Sequence, residues 1–350
     1  MISSVRIVGS GLIGSSIGLA LSGKNIPVEM IDSDERSQRL ACDLVGSVEI
    51  SNPEIIVIAT PLNAFKEVFE REISLYPNSI VMDIGSVKIK PLQDVYTASP
   101  DFVNFVGTHP MAGREVGGAE SARGDLFISR SWIITPSETT SRQAVEKVCE
   151  LISLLGAQVI SLDASEHDAA VARISHIPQI LSSILAASLQ SLPGEWLELA
   201  GAGLRDTTRI AASDHHLWKE IIHSNKEEVA QLLISLQKDI ALMIDSLDEE
   251  EKIAEILLQG RAGKARIPGK HGGKAREYSY LPIVIEDKPG QLAAIFNECA
   301  ALAVNVEDLT IEHSPGQLNA LITLALTQKE AHILSEHLQS IGWNVHPVRN

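Results

Sequence analysis

The chain has 350 residues and a net charge of −16, with 45% hydrophobic and 21% charged residues. This length predicts two or three domains, and the acidic charge argues against nucleic acid or an anionic membrane as the main partner. The three cysteines are far apart, which argues against a disulfide framework or a metal cluster and favours a reducing compartment. With no leader pattern and no unbroken apolar run of 18 residues, a cytoplasmic protein without a membrane segment is expected.

A glycine-rich turn is the first motif along the chain. Residues 5–8 read as a strand, and residues 9–14 (Gly-Ser-Gly-Leu-Ile-Gly) form G-x-G-x-x-G at the start of a helix. In this context the first two glycines let backbone N–H groups approach a pyrophosphate, and the third lets the helix pack close to the sheet. Asp32 follows the next strand, where a carboxylate accepts hydrogen bonds from both ribose hydroxyls and repels a 2′-phosphate. The pattern predicts NAD as the cofactor.

Strands and helices continue to alternate as far as residue 163. The apolar run at residues 55–59 is typical of a parallel strand covered on both faces. Further strands are predicted at 79–84, 102–107, 132–135 and 158–161, and helices at 63–76 and 138–155. Residues 1–163 are therefore predicted to form a Rossmann-type, doubly wound α/β domain with a parallel sheet. The residues expected to bind the cofactor are Gly9, Gly11, Leu12, Ile13, Gly14, Asp32, Thr60, Pro61 and Gly85.

A histidine and a serine follow two neighbouring strands of this predicted sheet. His109 comes at the end of one strand, directly before a proline, and Ser86 lies in the segment 83–88 (Asp-Ile-Gly-Ser-Val-Lys) after another. Taken alone, His109 could be a partly solvated loop residue, Ser86 a helix cap and Lys88 a solvated cation. A hydroxyl and an imidazole beside a nicotinamide nevertheless suit a dehydrogenase, because a carbinol that loses hydride needs a group to accept or polarise its proton.

Residues 164–260 are predicted to form an all-helical domain, because apolar residues recur there at helical spacing. Long helices are expected at 166–190, bent at Pro178, and at 215–246. A helical module appended to a dinucleotide-binding domain commonly forms a dimer, so a homodimer is expected.

Polar residues interrupt this apolar pattern at two places. Ser175 and His176 lie in the middle of a predicted helix, and the segment 201–210 brings Arg205 and Arg209 to one helix face. An arginine fork is a natural receptor for a carboxylate. Arg205 is interpreted equally well as an ion-pair partner, whereas Arg209 lies in an apolar context, where a buried charge needs a partner.

The C-terminal part of the chain starts with a basic stretch. Residues 261–277 contain six lysine or arginine residues and four glycines, so they are interpreted as a linker and not as a helix. A phosphate-attracting loop is the alternative interpretation. Residues 278–350 have the order β-α-β-β-α-β of the split ferredoxin-like unit and carry no catalytic constellation.

Taken together, these motifs resemble the prephenate dehydrogenase family. The resemblance rests on the glycine motif with Asp32, on segments 83–88 and 107–113, and on segments 175–178 and 203–211, and it extends in order to about residue 250. Residues 278–350 resemble an ACT domain. The resemblance implies NAD-dependent oxidative decarboxylation of prephenate to 4-hydroxyphenylpyruvate in tyrosine biosynthesis.

The resemblance also implies a role for each matching residue. It assigns His109 to the ring hydroxyl of the substrate, Ser86 to the orientation of that pair and Arg209 to a substrate carboxylate. Ser175 and His176 would line the pocket. Arg205 is kept as a candidate substrate contact on the arginine spacing alone. Because aromatisation drives the loss of carbon dioxide, neither a metal nor a covalent nucleophile is required.

One position departs from the family pattern. The family often has Ser-His-x-Pro-His, and this chain has Gln179 in place of the second histidine. A neutral amide could alter recognition of the side-chain keto acid, which leaves the amino analogue, arogenate, as an alternative substrate. Asp32, through the NAD preference it implies, favours prephenate.

Two other functions are alternatives to this one. A 3-hydroxy-acid dehydrogenase would need a lysine base at a glycine-rich helix start in the helical domain, and arginines follow residues 201–203 instead. A catalytically silent NAD or amino-acid sensor is disfavoured by the combination of His109, Ser86 and Arg209. For the ACT-like module, the alternatives are oligomerisation and allosteric binding of tyrosine, of which the second is preferred.

Overall fold

The computed structural model describes residues 2–113, 117–267, 278–286, 288–313 and 319–349. These residues belong to two compact units, Met1–Ile240 and Ala241–Asn350. Most of the predicted linker, residues 268–277, and the predicted turn residue Asp287 lie outside the described residues.

A seven-stranded sheet forms the centre of the first unit. In chain order its strands are β1 (Val5–Val8), β2 (Val28–Ile31), β3 (Ile55–Ile58), β4 (Ile80–Asp83), β5 (Phe105–Pro110), β6 (Ser131–Thr135) and β7 (Gln158–Ser161). They are arranged in the order β2-β1-β3-β4-β5-β6-β7, and β1 to β5 pair in parallel. The predicted Rossmann-type sheet is therefore confirmed.

The last two strands differ from the predicted parallel arrangement. β6 runs antiparallel to β5, and β7 runs parallel to β6. Parallel neighbours need a crossover over a face of the sheet, usually made by a helix. The described residues between β5 and β6 contain only the short 3-10 turn Ala119–Ser121, so the chain returns along the sheet in the opposite direction.

Five helices cover the sheet: α1 (Leu12–Ser22), α2 (Glu35–Val45), α3 (Phe65–Leu75), α4 (Ile89–Ala98) and α5 (Arg142–Leu154). Side chains on β3 alternate between two apolar clusters, with Val57 in one and Ile56 and Ile58 in the other. This alternation explains why a strand covered on both faces is apolar at every position. The polar residues that follow each strand are thereby left at the carboxyl edge of the sheet.

The first unit continues into a helical region. Its helices are α6 (Ala164–Val171), α7 (Ile177–Ser188), α8 (Gly194–Leu197), α9 (Ala202–Thr208), α10 (His215–Ser224) and α11 (Lys226–Asp245), the last of which extends past residue 240. A π-helical turn, Ala172–His176, separates α6 from α7. Pro178 has no N–H for the carbonyl four residues earlier, and a widened turn accommodates that loss. The helix predicted at 215–246 is two helices that break at Asn225.

The stretch Ala164–Ser191 is long and apolar enough, by length and composition, to cross a membrane, although the sequence contains no unbroken apolar run. Only 33% of its apolar window is buried in this unit. Its buried residues include His167, Asp168 and His176, all of which are polar. A core helix of a soluble protein passes the same test, so the stretch is weak evidence for a membrane span.

The second unit contains helix α12 (Glu250–Ala265) and an α/β module. The elements of the module are β8 (Ser279–Glu286), α13 (Gln291–Ala301), β9 (Asp308–His313), β10 (Asn319–Leu326), α14 (Gln328–Ser340) and β11 (Asn344–Val345). The four strands pair antiparallel in the order β11-β8-β10-β9. The order of the elements agrees with the predicted β-α-β-β-α-β pattern.

The prediction that the basic stretch is not helical is wrong for its first residues, because α12 continues to Ala265. Glycine in a helix interior costs about 1 kcal/mol relative to alanine. Residues 261–265 offset the cost of Gly263 with two alanines, an arginine and a lysine, all good helix formers. Glu250 and Glu251 in the first turn and Lys264 in the last also suit the helix dipole.

Candidate active site

The glycine turn joins β1 to α1 with tight backbone contacts. Gly9 has φ +116°, and a Cβ atom there would lie 2.3 Å from the carbonyl oxygen of Ala59. A Cβ atom on Gly14 would lie 2.1 Å from the carbonyl oxygen of Gly9. A Cβ atom on Gly11 would meet nothing within 4 Å among the described residues, which leaves open space at the N-terminus of α1. An anion can approach the free N–H groups of the helix there.

Polar groups around this turn fit a dinucleotide. Asp32 follows β2, and its carboxylate accepts hydrogen bonds from Ser10 N at 2.5 Å and Asp34 N at 2.9 Å. The hydroxyl oxygens of Ser10 and Thr60 are buried and have no hydrogen-bond partner within the described ranges. Buried hydroxyls normally have a partner, so these two indicate a place for a polar ligand. Thr60 and Pro61 follow β3 at the same edge of the sheet.

Replacing Asp32 with alanine is expected to raise the Kd for NADH about 10–100-fold, because hydrogen bonds to a charged group contribute about 1.5–3 kcal/mol. The Kd for NADPH should change less or fall, because the repulsion of the 2′-phosphate is removed. Fluorescence titrations with both nucleotides measure the two constants. Asp34→Ala, which removes the carboxylate that caps α2, is the matched control. An unchanged NADH-to-NADPH preference in the Asp32 variant would contradict the assignment.

His109 lies inside β5 and not beyond its end. It pairs with Ile133 of β6, and Pro110 pairs with Trp132. Pro110 does not end the ladder, because Met111 N donates to Ser131 O at 2.9 Å just after it. A proline can occupy an antiparallel pair where its missing N–H is not needed. His109 is therefore held by β6 on one side, whereas the pairing of β5 with β4 ends at Val106.

His109 contacts a buried histidine of α6. Its Nδ1 lies 2.9 Å from Nε2 of His167, with the two rings at 69° to one another. Nδ1 of His167 in turn lies 2.7 Å from Oδ1 of Asp168. The Asp168 carboxylate also accepts the backbone N–H groups of Lys88, at 2.7 Å, and Ile89, at 2.9 Å, at the start of α4. His167 and Asp168 thus connect the helical region to the carboxyl edge of the sheet by hydrogen bonds.

A second buried network fixes the residue before His109. Lys88, for which a solvated cation was one interpretation, is 1% exposed, and its Nζ donates to the Asp83 carboxylate and to the Thr108 carbonyl oxygen, the latter at 2.6 Å. Thr108 N donates to Asp83 Oδ1 at 3.0 Å, and Trp132 Nε1 donates to Thr108 Oγ1 at 2.9 Å. These hydrogen bonds therefore connect β4, β5 and β6 at Thr108, the residue directly before His109.

The surroundings of His109 keep its imidazole neutral. Burial lowers the pKa of His109 well below the ordinary value of 6.5, and the charge of Lys88 and the rings of His167 and His176 lower it further. Burial also lowers the pKa of Lys88, against the opposing charges of Asp83 and Asp168. A neutral imidazole at physiological pH has one nitrogen free to accept a proton or a hydrogen bond.

Ser86 and Gly85 lie between β4 and α4, and both are half-buried. Gly85 N donates to Asp83 Oδ2 at 2.8 Å, so that N–H already has a partner inside the protein. Within the described residues, the Ser86 hydroxyl makes no hydrogen bond with His109, whose Nδ1 contacts His167 instead. The predicted role of Ser86 in orienting His109 and the substrate hydroxyl therefore concerns Nε2, the other ring nitrogen of His109, and it stays a prediction.

The predicted substrate residues lie in the helical region. His176 is buried, with its Nδ1 3.2 Å from Nδ2 of Asn225. Gln179 is buried in α7, and its Nε2 donates to the carbonyl oxygen of Ile210 at 2.9 Å. Ile210 belongs to the 3-10 turn Arg209–Ala212, so the structure brings Gln179 to the turn that carries Arg209.

The two arginines are more exposed than the sequence suggested. Arg209, expected to be a buried charge, is exposed, as is Arg205. The surrounding apolar residues misled the prediction, because the helical region leaves much of its apolar surface uncovered in this chain. Arg205 Nη2 donates to the carbonyl oxygen of Ala200 at 3.2 Å. Ser175 is half-buried in the π-helical turn.

No role was predicted from the sequence for His167, Asp83, Asp168 or Asn225. A signal was present, because the polar residues 166–168 open an otherwise apolar helix. Asn225 lies at the break between α10 and α11, and its Nδ2 donates to the Asp168 carbonyl oxygen at 2.8 Å.

The stability of the protein is expected to fall as the pH is lowered, because burial lowers the pKa of His176 to about 4. The unfolded chain, with an ordinary histidine pKa of about 6.5, then binds more protons than the folded chain between these two values. The contribution of His176 to the free energy of unfolding is fully present above pH ~6.5 and is lost as the pH falls toward ~4. The free energy of unfolding should fall by about 2 kcal/mol near pH 5 from His176 alone. Urea unfolding at several pH values measures it, and His176→Gln should give a shallower pH dependence; an identical slope would contradict the prediction.

A Rossmann-type sheet with a glycine turn, a carboxylate after β2 and a histidine of lowered pKa at the sheet edge are the features of an NAD-dependent dehydrogenase. Residues 21–161 match the family model for the nucleotide-binding domain of prephenate dehydrogenase, and residues 163–259 match the model for its dimerization domain. The chain belongs to the prephenate dehydrogenase family.

Full-length relatives share this assignment. The chain is 27% identical to a probable prephenate dehydrogenase, NovF, of Streptomyces niveus, over 96% of this chain and 98% of the relative. It is 26% identical to the prephenate dehydrogenase of Bacillus subtilis, over 93% and 92%. A crystal structure of prephenate dehydrogenase from Aquifex aeolicus, in complex with hydroxyphenyl propionate and NAD+, is 26% identical with a TM-score of 0.70, and covers 77% of this chain and 99% of its own.

Proposed function

We propose that this protein catalyses the NAD-dependent oxidative decarboxylation of prephenate to 4-hydroxyphenylpyruvate, a step of tyrosine biosynthesis. The observation that carries the proposal is the neutral His109 at the carboxyl edge of the Rossmann sheet, in a chain that matches the family over both domains. The A. aeolicus relative, which binds NAD+ and hydroxyphenyl propionate, supports both the cofactor and a substrate of similar ring size.

The residues of this chain supply a proton acceptor and binding groups. Bound NAD supplies the acceptor for the hydride that leaves C4 of the substrate ring. His109 accepts the proton of the C4 hydroxyl as that C–H bond breaks. The bond from C1 to the carboxylate then breaks, its electron pair completes the aromatic ring, and the proton returns from His109 to the phenolic oxygen. Ser86 would orient the hydroxyl, Arg209 would bind a carboxylate, and Ser175, His176 and Arg205 would line the pocket.

The direct experiment is a NADH-formation assay with prephenate and arogenate in parallel. We expect NADH and carbon dioxide to form in equal amounts from prephenate, because hydride loss and decarboxylation occur in one turnover. Turnover of neither compound would refute the proposed reaction. The same assay with NADP in place of NAD is the control for cofactor choice.

Arogenate is a second candidate substrate because of the contacts of Gln179. A carbonyl oxygen only accepts hydrogen bonds, so the contact with Ile210 O assigns the amide nitrogen of Gln179 to that bond. The amide oxygen is then the group left for a ligand, and an oxygen acceptor suits the ammonium of arogenate better than the keto group of prephenate. A higher kcat/KM for arogenate would establish this alternative. Gln179→His should then shift the ratio toward prephenate.

The protein is proposed to be a cytoplasmic homodimer. Each subunit is proposed to have a Rossmann domain at residues 1–163 and a helical domain at residues 164–260. Apolar side chains exposed on the helical region support dimerisation, among them Ile174 at 65%, Trp196 at 62% and Leu199 at 82%. The match to a dimerization domain supports it as well. Light scattering that gives the mass of one chain would refute it.

The C-terminal module is proposed to be an ACT domain that binds tyrosine as a feedback inhibitor. The β-α-β-β-α-β order and the antiparallel strand order β11-β8-β10-β9 support the assignment. Prephenate kinetics with excess tyrosine test it. Unchanged kinetics would exclude tyrosine as the effector and leave oligomerisation as the role of the module.

A further inference from the structure

We propose that His167 and Asp168 form a positioning dyad that fixes the tautomer and the orientation of His109. The tautomer of His109 is inferred from hydrogen-bond geometry alone, whereas its role in catalysis rests on the proposed function. His167 Nε2 lies 2.9 Å from His109 Nδ1, and His167 Nδ1 lies 2.7 Å from Asp168 Oδ1. His167 and Asp168 are 0% and 1% exposed, so water does not compete for these bonds.

The dyad determines which nitrogen carries each proton. Both oxygens of Asp168 accept backbone N–H groups, from Lys88 and Ile89, so the carboxylate meets His167 as an acceptor. His167 Nδ1 must therefore carry a proton, and in the neutral ring Nε2 is left with a lone pair. That lone pair accepts from Nδ1–H of His109. The lone pair of His109 is then on Nε2, the nitrogen free to receive the substrate proton.

The dyad is itself rigidly held. The carboxylate of Asp168 binds the first N–H groups of α4, where the helix dipole also favours a negative charge. The carbonyl oxygen of Asp168 accepts from Asn225 Nδ2 at 2.8 Å. The position of α6 is thus fixed both by the sheet edge and by the break between α10 and α11.

The dyad would also act during the reaction. When the C4 hydroxyl proton moves to Nε2 of His109, the ring gains a positive charge while its Nδ1–H continues to donate to His167. The negative charge of Asp168, one ring away, stabilises that imidazolium. The carboxylate of a serine-protease triad orients its histidine in the same sense, and its loss leaves the wrong tautomer and lowers kcat about 10⁴-fold.

The tautomer can be measured in the parent protein without any substrate. Two-bond ¹H–¹⁵N spectra of protein labelled at histidine distinguish Nδ1–H from Nε2–H, and the spectrum of His109→Asn identifies the His109 signals. We expect a neutral His109 with its proton on Nδ1, and a proton on Nδ1 of His167 as well. A proton on Nε2 of His109 would overturn the proposal, whether or not prephenate is a substrate.

Kinetics of His167 variants test the consequence for catalysis. His167→Leu removes the acceptor and should lower kcat for prephenate at least 100-fold while the KM for NAD and the Kd for NADH stay within about threefold. His167→Gln, whose amide oxygen can accept from His109 Nδ1, should recover at least tenfold of that loss. His223→Leu, at an exposed position on α10, is the control.

The outcomes separate the two hypotheses. Parent-like kcat in a folded His167→Leu protein, or equal losses in the leucine and glutamine variants, would overturn the dyad. An inactive parent with the expected tautomer would refute the proposed reaction and leave the dyad intact. If His167→Leu does not fold, the tautomer in the parent still decides.

Discussion

Replacing His109 with asparagine is expected to lower kcat for prephenate about 10²–10⁴-fold, the usual contribution of a general base. Burial and the charge of Lys88 keep the imidazole neutral, and its proton-accepting nitrogen has no equivalent in an asparagine amide. The Kd for NADH should stay unchanged, because the proposed dinucleotide contacts lie at the glycine turn and Asp32 and not at His109. Steady-state kinetics and a nucleotide titration on the same preparation measure both quantities.

A matched substitution keeps this prediction specific. His223 is exposed on α10, so His223→Asn makes the same chemical change away from the sheet edge and should leave kcat unaltered. A His109 variant that retains the parent kcat would remove the residue from the reaction. A loss confined to KM would assign it to binding alone.

The parts of the fold that follow from local patterns were predictable. The patterns of the glycine turn, Asp32 and the apolar strands involve residues close together in the chain. The structure places the glycine turn and Asp32 at the carboxyl edge of the sheet, as expected. The run at residues 55–59 predicted a covered parallel strand because every position is apolar. Such patterns reflect the environment of one element, so they predict that element without information from the rest of the chain.

The features that were missed depend on contacts between distant parts of the chain. Lys88 is followed by a helix and looks solvated in the sequence, yet it is buried because Asp83 and the Thr108 carbonyl oxygen surround its ammonium. His167 contacts His109 across 58 positions of sequence, which no periodicity reports. The reversed direction of β6 likewise depends on how the preceding connection returns to the sheet.

Replacing Lys88 with methionine is expected to lower the free energy of unfolding by about 3–5 kcal/mol, because removal of one partner of a buried ion pair leaves the other charge uncompensated. Asp83 would remain 2% exposed without its cation, although it keeps the N–H groups of Gly85 and Thr108. The Thr108 carbonyl oxygen also loses a donor, so the residue beside His109 becomes less firmly held. Urea unfolding monitored by circular dichroism measures the change.

Lys90 provides the comparison for Lys88, because it lies two residues further along and its ion pair with Asp94 is only part-buried, with the lysine side chain 49% exposed and that of Asp94 10% exposed. Lys90→Met should therefore cost clearly less than Lys88→Met, because solvent reaches the lysine end of the pair. Adding Asp83→Asn to Lys88→Met removes the uncompensated charge, so the double variant should be destabilised by clearly less than the sum of the two single changes. Additive effects, or equal losses for Lys88→Met and Lys90→Met, would show that charge pairing beneath His109 does not stabilise the sheet edge.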